Sequence, residues 1–194
     1  MAEPIKLFNL PPAEDIFRIL VVALAVILGV LLIAGAVYFF AGYRLYENKG
    51  EAISIRYPAG WKVVERPGPG AIVGFVSPKE GAMDTFQENV SITTTDISKT
   101  PLSLAEYTAL AEKQMTKVFG NIQVRESLDV LISGRPAHKF VFEATGEGAS
   151  VIALWAFIDR DIAYTITYIG RAERYYRRDK MVVEVMISTL KLVF

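Results

Sequence analysis

His138 is the only histidine of this 194-residue chain, and cysteine is absent. One imidazole can act as a general base or a ligand. A nucleophilic triad or a transition-metal centre needs further groups beside it. The lack of cysteine removes thiolate catalysis, disulfides and cysteine metal sites. On a strand, the period of two puts His138 on one face with Phe140 and Phe142. It reads as a core-edge side chain with one hydrogen bond. Glu80, Asp84 and Glu88 fall in one loop and could hold a hard cation through oxygen. Their spacing matches no calcium loop, and a solvated acidic loop is the plainer reading. Pro67-Gly-Pro-Gly70 has the glycines of a phosphate loop without its lysine, spacing or helix, and reads as a turn. Asn89-Val-Ser91 is a glycosylation sequon, usable only in an exported domain. A Ser/Lys or paired-carboxylate site would not show in such a scan. The expectation is a protein that is not an enzyme, with no catalytic, cofactor or metal-binding residue.

The more distinctive surface is basic. Arg171, Arg174, Arg177, Arg178 and Lys180 surround Tyr175 and Tyr176, opposed only by Glu173 and Asp179. Cations at a helix start oppose the macrodipole, at about 0.3–1 kcal/mol each when exposed. A segment that tolerates this could recruit anionic headgroups or an acidic partner, and Arg and Tyr are typical interface anchors. The competing reading is an ordinary solvated helix face with ion pairs.

The elements that position these residues begin with a membrane-crossing segment. Ile19 to Gly42 runs 24 residues without a charge. That length spans a bilayer core, and it exceeds the roughly 7–15 residues of a signal core. Ala34-Gly35-Ala36 would suit a signal peptidase, so a cleaved signal competes with a retained anchor. Continuation of the run through Ala41 and the exit belt of Tyr38, Phe39, Phe40, Tyr43 and Tyr46 favour the anchor. Ala25, Gly29, Gly35 and Gly42 would let a neighbouring helix approach closely. Flanking charges give no clear orientation. Net charge is zero, which supplies no field for nucleic acid. Asn and Gln are scarce, at four and three, a weak lean towards a thermophile.

The expected organisation is a tail over 1–18, a transmembrane helix over 19–42, a joint over 43–50 and one domain over 51–194. The short joint would keep the domain near the membrane. Within the domain, strands are expected at 54–57, 61–64, 71–76 and 89–95. Ser103-Leu-Ala-Glu106 is a capping box, opening a helix with the stripe Leu104, Tyr107, Ala111, Met115 and Val118 that Gly120 ends. Four more strands follow, at 123–132, 137–144, 150–158 and 162–169, with turns at Gly146-Glu-Gly148 and Asp159-Arg-Asp161. The run 150–158 is apolar on both alternating faces, so helices should cover the antiparallel sheet above and below. A last helix is expected over 172–188.

Three stretches carry a family resemblance: Ile53-Ser-Ile-Arg-Tyr-Pro-Ala-Gly-Trp61, Gly134-Arg-Pro-Ala137, and the closing Ile187-Ser-Thr-Leu-Lys-Leu192. With them the chain from Glu51 to Phe194 resembles the PsbP-like superfamily, named for an extrinsic subunit of photosystem II. The resemblance implies an α+β fold, an antiparallel sheet sandwiched between helices. It also implies a domain that docks on a larger membrane complex without chemistry of its own. Relatives include prokaryotic envelope proteins and a nuclear transport factor that binds a small GTPase, so function does not follow from the fold. None of the photosynthetic members' metal-binding or docking residues can be matched here, and no photosystem role is carried over.

The function expected is a single-pass cell-membrane protein with its domain outside the cytoplasm, the sidedness resting partly on the resemblance. It would be an accessory or assembly subunit whose partners are other membrane subunits and the lipid bilayer, with no nucleic acid. The interaction residues expected are Ala25, Gly29, Gly35, Gly42, Arg171, Arg174, Tyr175, Tyr176, Arg177 and Arg178. The alternative is a tethered receptor or carrier for a small ligand or cation.

Overall fold

The structure is a computed structural model that describes residues 13–193 apart from Met83, Thr85, Asn121 and 145–149. The turn expected at 146–148 lies outside the described residues. The chain divides into two units, Met1–Gly42 and Tyr43–Phe194.

The first unit holds helix α1, Ala13–Ala41. Leu, Ile, Val and Ala favour its interior, and Glu14 and Asp15 complement the dipole in its first turn. The stretch Phe17–Gly35 is long and apolar enough to cross a membrane, and none of it is buried within the chain. α1 ends at Ala41, so Gly42 follows the helix and does not belong to it.

The second unit contains two antiparallel sheets where one was expected. The larger runs β3-β4-β5-β9-β8-β7-β6 and the smaller β1-β2-β10. Its strands are β1 (Tyr43–Asn48), β2 (Ile53–Pro58), β3 (Lys62–Glu65), β4 (Ala71–Val76), β5 (Asn89–Asp96), β6 (Ile122–Ile132), β7 (Arg135–Ala144), β8 (Ser150–Asp159), β9 (Ile162–Arg171) and β10 (Lys191–Leu192). The segment expected as a polar joint is largely β1. Tyr43 to Asn48 pair with Pro58 to Ile53, and Tyr46 is buried against Phe75. Its alternating polar and aromatic residues meet the period of a half-buried strand, a pattern masked by the charged residues around it.

Helix α2, Leu104–Phe119, has the expected capping box at Ser103 and Glu106 and ends at Gly120, which adopts a positive φ of 67°. The expected stripe is only partly used: Tyr107 donates to or accepts from Thr165 at 2.9 Å, while Val118 is 72% exposed. Between β9 and β10 the chain forms an α-turn, α3 (Ala172–Arg174), a π-helical turn (Tyr175–Asp179) and α4 (Lys180–Ser188). The wide turn is defined by the Lys180 N–H donating to the Tyr175 carbonyl. It sets Tyr175, Asp179 and Val183 on the buried side together.

The main core joins β1, β2 and α4 to one face of the large sheet, around Phe75, Trp155, Phe157, Tyr168, Tyr175 and Met186. A smaller cluster, Phe140, Phe142 and Ile152 with Met115 of α2, lies on the other face. β8 is buried along nearly all of its length, as its two apolar faces require. Burying each large apolar side chain contributes about 1.5–3 kcal/mol, so this strand anchors the sheet.

Candidate functional site

The basic cluster and the acidic loop, read separately in the sequence, meet in space. Arg174 Nη1 lies 2.9 Å from Glu88 Oε2 and 3.2 Å from Glu80 Oε1, and its Nε lies 3.3 Å from Asp179 Oδ2. Glu88 is wholly buried and also accepts from the Ser77 hydroxyl at 2.9 Å. Asp84 accepts from the backbone N–H groups of Glu80 and Phe86 and faces Arg171 at 3.4 Å. Those two backbone hydrogen bonds, with the nearby arginines, hold its carboxyl below the usual range. Arg178 pairs with Glu80 and Asp179, and Arg177 with Glu173. The carboxylates thus answer the arginines, which explains how a helix start tolerates so many cations. Among the described residues no group of three or more His, Cys, Asp or Glu side chains is placed to hold a metal ion.

The interaction candidates therefore separate. Tyr175 is buried against Tyr168, and burial pushes its phenol up. Arg174 is tied into the ion-pair network and mostly covered. Arg171, Tyr176, Arg177 and Arg178 are exposed. In α1, nothing lies within 4 Å of a Cβ placed on Gly29 or Gly35. Ala25 and Gly29 are one turn apart and share a face; Gly35, six residues on, is roughly 240° round the helix. The small residues form no single seam.

His138 differs most from expectation, having two side-chain partners in place of one. Its Nδ1 lies 2.8 Å from Asp129 Oδ1 and its Nε2 lies 3.0 Å from Ser127 Oγ. All three residues line a groove of about 760 Å³ between α2 and the β6–β7 hairpin, walled by Leu104, Ala105, Ala109, Val130 and Pro136. The hairpin geometry makes this constellation. Ser133 and Gly134 both take positive φ, 53° and 75°, as a two-residue turn requires. That turn pairs Ile132 with Arg135 and hence Asp129 with His138. Ser127, two residues before Asp129, falls on the same face. The signal was present in the sequence as Ser133-Gly134 between two strand patterns; counting outward from it would have brought the three residues together.

The opposite face of the hairpin carries a second polar group. Lys139 is buried, 2.8 Å from Glu126 and 2.5 Å from Glu184, with its ammonium 5.5 Å from the Trp155 ring centroid. Lys180 also pairs with Glu126.

The class of protein is set by the fold, an antiparallel α+β domain with helices packed on both faces of its large sheet. A family model for PsbP matches residues 41–192, and the chain belongs to the PsbP family. Cyanobacterial PsbP (CyanoP) of Synechocystis sp. PCC 6803 is similar in structure, with a TM-score of 0.58 at 16% identity, over 78% of this chain and 93% of that one. The Saccharomyces cerevisiae Ran-binding protein Mog1p gives 0.56 at 12% identity, over 78% and 95%. LpqN of Mycobacterium tuberculosis, described as involved in cell envelope biogenesis, gives 0.55 at 9%, over 73% and 83%. At such identities the likeness is one of fold. No curated protein matches the chain.

Proposed function

We propose that this chain is a single-pass membrane protein whose PsbP domain works by docking on other membrane subunits, as an accessory or assembly component. The observation that carries the reading is the exposed strip Arg171, Tyr176, Arg177 and Arg178. It remains open to solvent although Arg174 and Tyr175 beside it are consumed internally. Arg and Tyr on a surface held rigid by buried ion pairs make good anchors for an acidic or polar partner patch. α1 supports the membrane part, being long and apolar enough over Phe17–Gly35 to cross a bilayer. Partner binding by a domain of this fold is consistent with the Ran-binding description of Mog1p and the envelope role of LpqN. Export of the domain across the cell membrane completes the proposal.

Native capture of the tagged full chain from gently solubilised membranes, with mass spectrometry, tests it. Defined subunits should co-purify and be lost with Tyr176→Ala combined with Arg177→Glu. Recovery of the protein alone, at its own mass, refutes the proposal. The alternative of a tethered receptor or carrier keeps one supporting feature, the groove beside His138; its cation branch has none, because the loop carboxylates are engaged by arginines.

A further inference from the structure

We propose that Ser127, His138 and Asp129 form a nucleophile–base–orienter site that hydrolyses neutral carboxylic esters, in addition to the docking role. The distances are those of a hydrogen-bonded relay: Ser127 Oγ to His138 Nε2 at 3.0 Å and His138 Nδ1 to Asp129 Oδ1 at 2.8 Å. With Nδ1–H donating to Asp129, the imidazole is held in the tautomer whose Nε2 accepts the serine proton. Ser127 is exposed on the groove wall, so its oxygen is reachable, and His138 is only partly exposed. Serine, imidazole and carboxylate in these contacts form a nucleophile–base–orienter relay, and such relays are recognised by geometry and role, not by order in the chain.

The groove also selects a substrate class. Ala105 and Ala109 present short side chains one helical turn apart, and Leu104 and Pro136 add apolar surface to the same groove. Among the described residues, Glu112 and Asp129 are the acidic ones on its walls, and no lysine or arginine lines it. A phosphate ester or a carboxylate-bearing substrate would meet only like charge there. A neutral ester with a short apolar acyl chain fits both the walls and the charge.

In the first step, Ser127 Oγ forms a bond to the ester carbonyl carbon while its proton passes to His138 Nε2. Collapse of the adduct breaks the bond to the alcohol oxygen, which leaves carrying that proton. Water then adds to the acyl-serine, giving its proton to Nε2. The serine oxygen leaves with that proton and the carboxylic acid is released. Ser127 and His138 are the catalytic residues. Asp129 is a positioning residue, and at 92% side-chain exposure its charge is strongly screened by water.

The test uses the full chain in detergent micelles with 4-nitrophenyl butyrate, and a neutral alkyl fluorophosphonate as a covalent probe. General-base assistance is worth about 10²–10⁴-fold, so Ser127→Ala and His138→Ala should each cut turnover by more than roughly tenfold. Asp129→Asn should lower kcat severalfold at unchanged KM, and Asp129→Glu should restore it. Mass spectrometry should find the phosphonyl group on Ser127 Oγ, with fluoride released, and none in His138→Ala. The labelling of the unaltered chain needs no variant to fold. Equal turnover by the unaltered chain and Ser127→Ala, or no label on Ser127, overturns the proposal. Neither result bears on docking, which rests on the Arg171 and Tyr176–Arg178 surface.

Discussion

Arg174 reaches into the domain to a buried carboxylate, its Nη1 2.9 Å from Glu88 Oε2. The contact joins the loop before β5 to the start of the C-terminal helix. It turns two apparent sites, one acidic and one basic, into a single structural clasp. Such a pair is weak evidence of net stabilisation, because both charges lose water. Breaking it from one side is another matter.

Arg174→Ala leaves Glu88 and Asp179 buried without their shared cation. Loss of one member of a buried pair costs about 3–5 kcal/mol. Thermal unfolding of the full chain in detergent, followed by circular dichroism, should show a fall of several degrees or more. Arg177→Ala, whose pair with Glu173 is exposed, should change almost nothing. Equal effects of the two would show that Arg174 is not part of a clasp.

Tyr168 donates to Asp179 Oδ2 at 3.0 Å, and burial, with that carboxylate beside it, pushes its phenol up. Its ring also folds over Gly170, where an added Cβ would stand 1.9 Å from the hydroxyl. Gly170→Ala must therefore displace the ring and break the hydrogen bond. Overpacking typically costs about 1–3 kcal/mol, and a lost hydrogen bond to a charged group about 1.5–3 kcal/mol. Tyr168→Phe removes only the hydrogen bond, so the glycine variant should be the less stable of the two in urea titrations. The reverse order would contradict the packing described.

The Lys139 group gives a pH signature. For Glu126, burial alone would raise the carboxyl, but the hydrogen bonds from Lys139 and Lys180 bring it below its ordinary 4.5. For Lys139, burial pulls the ammonium down, and the hydrogen bonds to Glu126 and Glu184 more than offset this, leaving it above 10.5. A depressed carboxylate stabilises the fold above its unfolded value and loses that effect as pH falls through the folded one. A raised ammonium stabilises below its unfolded value and loses the effect as pH rises through the folded one. The group's contribution is thus complete between 4.5 and 10.5 and declines outside that window. Stability measured against pH should fall less steeply below 4.5 in Lys139→Met than in the unaltered chain; parallel curves would remove Lys139 from the account.

Ser103→Ala deletes the cap on α2, which holds Glu106 N–H at 3.2 Å. Such losses run about 0.5–2 kcal/mol. Since α2 forms one wall of the groove and Thr108 is its only buried residue, hydrogen exchange should rise first along this helix. Uniform exchange across the domain would argue against local opening.

Much of the fold was legible because its signals are local. The charge-free run over 19–42, the box Ser103–Glu106, the breaker Pro67–Gly70 and the two-faced apolar strand at 150–158 each depend on a few neighbouring residues. β1 and β10 were missed for the opposite reason. The charged residues around β1 mask its alternation, β10 is only two residues long, and both become strands by pairing with β2, which for β10 lies far away in sequence. Arg174 and Tyr175 looked like surface because charge and aromaticity say nothing about which side of a helix faces a core. Tyr175 and Asp179, four residues apart, share a face under any helical period, but nothing in their composition says that this face, and not the one carrying Tyr176 and Arg177, turns inward.

By itself, then, the sequence determined the apolar helix, the zero net charge, the absence of thiol chemistry and the order of most strands. Hydropathy, charge and turn preference act within a few residues. The tertiary structure alone decided which of the paired charges are exposed and which are buried. It placed Glu88 under Arg174 across 86 residues, and His138 between Ser127 and Asp129 through the register of one hairpin. Ion pairs and proton relays depend on distances of about 3 Å, and only the packed chain sets those.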